Sequence, residues 1–273
     1  MTTSLGKVHL DVDERGVATI LLDRPSKLNA LSLEMVAELQ QCIAEIRKLD
    51  PRVVILRSAG TKAFCVGADI SQFSSFDAVS MWRRWIADGH RVFRELSELT
   101  QPTIAVIQGV ALGGGLELAL TCDFRLTADT ASFALPETGI GTIPGWGGTE
   151  ALTRTIGRTR ASELILARRH INTDTALNWG LINECHPPEE LNAAVDNLVD
   201  ELLGGAPIAQ QAAKQLVRAA TEGASAAVLE ALASGFTAST PDFAEGLSAF
   251  LNKRPAHFSS ANPPGTPHTK NGA

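Results

Sequence analysis

Three consecutive glycines, Gly113, Gly114 and Gly115, stand between the apolar run Thr103-Ile-Ala-Val-Ile107 and the segment Leu116-Glu-Leu-Ala-Leu120. Glycine lets a main chain turn sharply and pass close to another group. A glycine turn from a strand into a helix leaves unpaired N–H groups at the helix start, with a positive partial charge. The unit suits two roles: a tight packing turn, or a cradle of main-chain donors for a negatively charged atom. Glu117 falls in the first turn of that helix among apolar neighbours. Burying a glutamate is costly unless it is paired or functional. A first-turn glutamate also complements the helix dipole, so both readings stand.

Nucleotide-phosphate loops do not fit the glycines. There is no G-x-x-x-x-G-K-[ST], and G-x-G-x-x-G fails because Leu118 and Pro144 occupy the positions that would need glycine. The serine-hydrolase elbow G-x-S-x-G is absent as well. Two further segments carry chemistry. Pro136-Glu137 leads into Thr-Gly-Ile-Gly-Thr-Ile-Pro-Gly, a loop no core strand would tolerate, where Glu137 either caps or reacts. Lys62-Ala-Phe-Cys-Val-Gly-Ala-Asp69 follows a strand ending near Arg57 and reads as a strand-to-helix turn with Asp69 at the N-cap, or as a second donor site.

Around these segments strands and helices alternate. Val8–Val12 and Val17–Leu22 flank Asp13-Glu-Arg-Gly16 as a hairpin. Leu33, Val36, Leu39, Ile43 and Ile46 form a helical stripe from Ser32, a plausible N-cap, to a stop at Asp50-Pro51. Val53–Leu56 and Phe124–Thr127 read as strands, and 76–99 as a helix. The alternation implies an α/β architecture. From about residue 150 the pattern becomes helical, at 149–156, 160–169, 173–179, 189–203, 207–221 and 224–236. Residues 259–273 form a polar, proline-containing tail whose composition suggests disorder.

The 273 residues carry a net charge of -6, which disfavours nucleic acid and anionic membrane as partners. Ile104–Leu120 is apolar enough to suggest a membrane span, but Gln108, Glu117 and its glycines oppose that. No signal peptide is visible, so a cytoplasmic location is expected. Cys42, Cys65, Cys122 and Cys185 are far apart and read as reduced thiols, and the six histidines show no metal-binding spacing.

Taken in order, the segments resemble the crotonase, or enoyl-CoA hydratase/isomerase, superfamily. The likeness covers roughly residues 8–258. It is carried by Arg24-Pro-x-x-x-Leu-Asn-Ala-Leu31, Ala63-Phe-Cys-Val-Gly-Ala-Asp69, Gly109-x-Ala-Leu-Gly-Gly-Gly-x-Glu-Leu-Ala119, Cys122-Asp123, Phe133-x-x-Pro-Glu137, Gly141-Thr-Ile-Pro-Gly-x-Gly-Gly-Thr149 and Phe243-x-Glu-Gly-x-x-Ala-Phe-Leu-x-Lys-Arg254.

The resemblance implies a spiral of ββα units in residues 1–200, a helical oligomerisation region in 201–258, and trimers or dimers of trimers. It implies an acyl-CoA substrate and no separate cofactor or metal. Two backbone amides would hold the thioester oxygen, mapped onto Val66 and Gly114. Glu117 would activate water and Glu137 would handle the proton at Cα, with hydration of a trans-2-enoyl-CoA as the outcome. Arg24, Lys27 and Lys62 would meet the adenosine and phosphate end, with Ala30, Ala68, Asp69 and Ile70 lining the ligand and Lys253 reaching it from the C-terminal region. Trp82 and Trp85 would border the acyl pocket or pack in the core. Trp146 stands where relatives often carry a smaller residue, which would shorten or reshape that pocket. A Δ3,Δ2-enoyl-CoA isomerase is the enzymatic alternative, and a non-catalytic CoA binder the alternative of another class.

Overall fold

The computed structural model describes residues 6–258. The expected tail at 259–273 lies outside them. The strands are β1 (Lys7–Val12), β2 (Val17–Asp23), β3 (Val53–Ser58), β4 (Ala63–Cys65), β5 (Thr103–Ile107), β6 (Val110–Leu112), β7 (Phe124–Ala128), β8 (Ser132–Ala134), β9 (Ile171–Asn172) and β10 (Glu184–His186). The helices are α1 (Leu33–Leu49), α2 (Ala78–Ser80), α3 (Ala87–Ser97), α4 (Gly114–Ala119), α5 (Gly148–Ile165), α6 (Thr173–Asn178), α7 (Leu191–Leu203), α8 (Pro207–Thr221), α9 (Ala226–Ala238) and α10 (Pro241–Leu251).

Two sheets alternate along the chain. The larger runs β1-β2-β3-β5-β7-β10 and the smaller β4-β6-β8-β9. The β1–β2 hairpin is antiparallel, and the later pairs of the large sheet are parallel. Successive units place one strand in each sheet and then a helix: β3-β4 with α2 and α3, β5-β6 with α4, β7-β8 with α5. This is the spiral of ββα units.

Burial explains the strand sequences. All five residues of β5, Thr-Ile-Ala-Val-Ile, are buried, as expected of a parallel strand covered on both faces. The main core holds Ile20, Leu22, Leu56, Phe64, Ile107 and Phe133 with α1 and α3, and a second core packs Val53, Ile104, Val106 and Leu126 against Val195 and Val199 of α7.

The elements refine the sequence reading at several points. Ser32 caps α1 by accepting from the Met35 N–H at 3.3 Å, and Asp50 closes it in a left-handed conformation. The 76–99 segment is interrupted by a π-helical turn at Met81–Ile86. The helix after the glycine triplet begins at Gly114 rather than Leu116. The two helices expected at 149–156 and 160–169 are the arms of α5, bent at Gly157, whose φ of 80° no helix interior accepts. Helix α10 lies in a stretch where the periodicity predicted no element. No disulfide joins the four cysteines; Cys42, Cys65 and Cys122 are buried. Among the described residues no helix is long and apolar enough to cross a membrane.

Candidate active site

The glycine triplet places its amides where β4 and α4 meet. Gly113 has φ 53° and ψ -130°, a conformation open to glycine, and its N–H donates to Ala134 O at 2.9 Å. Helix α4 then starts at Gly114, whose N–H has no acceptor among the described residues. Gly67, just past β4, approaches with φ 93°. A Cβ there would come within 2.9 Å of Gly114 N and fill the space in front of that amide.

The expectation for the second donor needs correction. The Val66 N–H is already engaged, donating to Leu28 O at 3.2 Å. Leu28 and Asn29 both have positive φ, and that turn presents the Leu28 carbonyl to Val66. One residue past Gly67 the situation differs. Leu31 N–H donates to Gly67 O, and Asp69 N–H donates to Leu31 O, both at 2.8 Å. In an extended chain neighbouring amides point to opposite sides. The Ala68 N–H between them therefore points away from Leu31, toward the side on which β4 pairs with β6 and leads to α4. It has no acceptor among the described residues.

The two glutamates converge beside these amides. Glu117 is 4% exposed, and its Oε1 accepts from the N–H groups of Trp146 at 2.9 Å and Gly148 at 2.7 Å. These bonds fix the carboxyl's orientation. Burial pushes Glu117 up to about 7; the Glu137 charge adds to the rise, while the amide donors oppose it. Glu137 is half-buried and opens a short 3-10 turn after Pro136. A Cβ on Gly113 would lie 2.9 Å from Glu137 Oε1, so this carboxyl sits against the turn that offers the Gly114 amide. Glu137 Oε2 is buried with no partner among the described residues, and burial raises this group too. Glu117 and Trp146 line a cavity of about 770 Å³ that opens between Phe93, Cys122, Arg154 and Lys214.

Two acids that burial raises above the usual carboxylate range, beside unpartnered amides, are equipped for proton transfer next to a developing oxyanion. The family model described as enoyl-CoA hydratase/isomerase matches residues 13–261. The chain belongs to that family. A short-chain-enoyl-CoA hydratase of Clostridium acetobutylicum is 37% identical over 245 residues, covering 88% of this chain and 93% of the relative. A crotonyl-CoA hydratase of Syntrophomonas wolfei is also 37% identical, over 90% of this chain and 96% of its own. The crystal structure of an enoyl-CoA hydratase from Bacillus anthracis superposes with a TM-score of 0.88 at 35% identity, covering 93% of this chain and 99% of that one.

In this family member the expected ligand-end residues divide into two groups. Arg24 is 5% exposed and forms an ion pair with Asp69 at 2.8 Å, and its guanidinium also donates to Ala30 O at 2.9 Å. The Asp69 carboxylate in addition accepts from Ser71 N and Oγ. Arg24 and Asp69 thus clasp the 24–31 loop to the 67–69 segment, and the expectation of a phosphate-facing Arg24 gives way to that role. Asn29 strengthens the clasp, accepting from Arg24 N–H and donating to Ala59 O and Ala63 O. Lys27 and Lys62 are exposed on the flanking segments and make no ion pair among the described residues. Ala30 is buried within the clasped loop, and Ile70 is 60% exposed beside it. Lys253 lies exposed past the end of α10, a helix that packs on α9. Trp85 and Trp146 are buried, whereas Trp82 is exposed.

Sequence reasoning missed the Ala68 amide and the grip of Trp146 and Gly148 on Glu117. A signal for the grip existed in Pro144-Gly-Trp-Gly-Gly148, whose glycines let main-chain N–H groups turn toward one acceptor.

Proposed function

We propose that the protein catalyses reversible addition of water to a trans-2-enoyl-CoA, giving a 3-hydroxyacyl-CoA. The observation that carries this is the convergence of Glu117 and Glu137, both raised by burial, beside the unpartnered amides of Gly114 and Ala68. The thioester oxygen lies between those two N–H groups. As water adds at Cβ, negative charge builds on that oxygen as an enolate. Preorganised donors stabilise the charge, each worth roughly 10²–10³ in rate. Ionised Glu117, oriented through Oε1, draws a proton from water. Protonated Glu137 delivers a proton to Cα. Because the two carboxyls interact, the proton belongs to the pair, and its division between them is set by substrate.

Shifting a double bond needs only one carboxylate to shuttle a proton. Two raised glutamates facing one cradle favour hydration over isomerisation.

Lys27 and Lys62 meet the phosphates of CoA, and the loop held by Arg24 and Asp69 seats the base along the Ala30, Ala68 and Ile70 backbone. CoA arrives as part of the substrate, and the reaction needs no further cofactor. The protein works in the cytoplasm as a homotrimer or dimer of trimers. The exposed Leu232, Phe236, Phe243, Leu247 and Phe250 of α9 and α10 support that reading, since such a face suits a second copy, which would bring Lys253 toward a neighbour's ligand. Loss of enoyl-thioester absorbance with purified protein tests the activity, and formation of the enoyl ester from 3-hydroxybutyryl-CoA tests the reverse reaction. Inertness toward both would end the reading.

A further inference from the structure

We propose that the Trp146 indole closes the far end of the acyl pocket, so that four-carbon enoyl thioesters are accepted and chains of eight carbons or more are excluded. This rests on the reading of the site as an enoyl thioester site.

The ring stands directly behind the cradle. A Cβ on Gly114 would come within 2.8 Å of the indole Cζ3, so the ring packs flush against the residue whose amide receives the thioester oxygen. On its other side a Cβ on Gly89 of α3 would overlap the pyrrole edge. The indole N–H donates to Trp85 O at 3.1 Å. Phe93 packs at 5.0 Å between ring centroids and Trp85 at 5.3 Å, with Phe76 behind Trp85 at 5.8 Å. The ring is 4% exposed. It is clamped between two glycines and tied by a hydrogen bond, which holds the ring in one orientation at the wall of the 770 Å³ cavity.

The main chain of the same residue sets the chemistry beside it. Trp146 N–H holds Glu117 Oε1, so the ring and the water-activating carboxyl keep a fixed relation. A substrate with its carbonyl oxygen on Gly114 and its Cβ facing Glu117 must send the rest of its acyl chain beyond Cβ. Trp146 occupies that end of the site, and Ile86 closes the neighbouring side, its Cδ1 2.6 Å from where a Cβ on Gly145 would lie. A methyl beyond Cβ fits against an aromatic wall. Further methylenes press on a ring that Gly89, Gly114 and the Trp85 carbonyl hold in place. In a rigid apolar pocket one methylene in excess costs roughly 10–200-fold in discrimination.

The test compares the whole chain with its Trp146→Ala and Trp146→Phe variants. kcat/KM is measured on trans-2-enoyl-CoA esters of four, six, eight and ten carbons. Binding of saturated butyryl-CoA and octanoyl-CoA is measured in parallel by calorimetry. The wild type is expected to lose at least about 100-fold in kcat/KM from four to eight carbons. Trp146→Ala is expected to raise the eight-to-four-carbon ratio at least tenfold, and Trp146→Phe to raise it in the same direction by less. Should the Ala variant fail to fold, the Phe variant decides. A wild type that hydrates eight carbons as well as four, or a ratio unmoved in the folded variants, overturns the proposal. Absence of hydration with any ester would instead refute the hydratase reading. The binding arm would then judge the gate alone: octanoyl-CoA at least tenfold weaker than butyryl-CoA in the wild type supports it, and equal affinities overturn it.

Discussion

At the scale of single residues, the site turns on groups whose surroundings contradict their ordinary behaviour. Glu117 titrates near 7 instead of 4.5 because it is buried beside another carboxyl. Between those values the folded protein keeps a proton that the unfolded chain releases, so stability falls as pH rises through this window. Above pH 7 the ionised carboxyl costs the fold on the order of 3 kcal/mol. Glu117→Gln should therefore raise the melting temperature at pH 8 and leave it nearly unchanged at pH 4.5, while kcat/KM of the wild type should decline as pH drops below about 7. Equal melting shifts at both pH values would contradict this assignment. Gly67 makes the second test. A methyl there lies in front of the Gly114 amide at a φ that L-residues resist, so Gly67→Ala should lower kcat by about 100-fold or more in protein that still folds. Unchanged kcat would separate the Gly114 amide from catalysis. Glu117 and Glu137 were legible in the sequence because acids in glycine-rich or apolar settings need a reason. Val66 and Ala68 were not distinguishable there. Which of the two amides flanking Gly67 is free depends on the bend at Gly67 and on the Leu28 carbonyl, and neither leaves a local sequence mark.

Among the elements, the long amphipathic pieces read clearly and the short ones did not. Helix α1 declares itself by its stripe and by the Ser32 cap, and both are present. Strands β4, β6, β8 and β9 have two or three residues, too few for an alternation to register, yet they build the small sheet that carries the cradle. The 24–31 loop shows how a residue can look functional for the wrong reason. Arg24 in a loop near a phosphate ligand suggests a free cation, but its charge is spent on Asp69 and Ala30. Breaking a buried pair by removing one partner typically costs about 3–5 kcal/mol. Arg24→Met is therefore expected to destabilise the protein by that order in urea unfolding, through a loosened loop. A loss confined to CoA affinity, with stability intact, would return Arg24 to the ligand.

For the whole molecule, the order of motifs along the chain carried the architecture, because each ββα turn delivers one segment to the same small sheet. Residues 62–69, 109–119 and 136–148 are far apart in sequence, and β4, β6 and β8 bring them side by side in one small sheet. That convergence is the central claim, and removing each acid in turn tests it most directly. Steady-state hydration of crotonyl-CoA by Glu117→Gln and by Glu137→Gln should show kcat reduced about 10²–10⁴-fold in each, with butyryl-CoA binding within a few-fold of wild type. Either variant retaining kcat within tenfold of wild type would contradict a mechanism in which both carboxyls act on one water and one carbon.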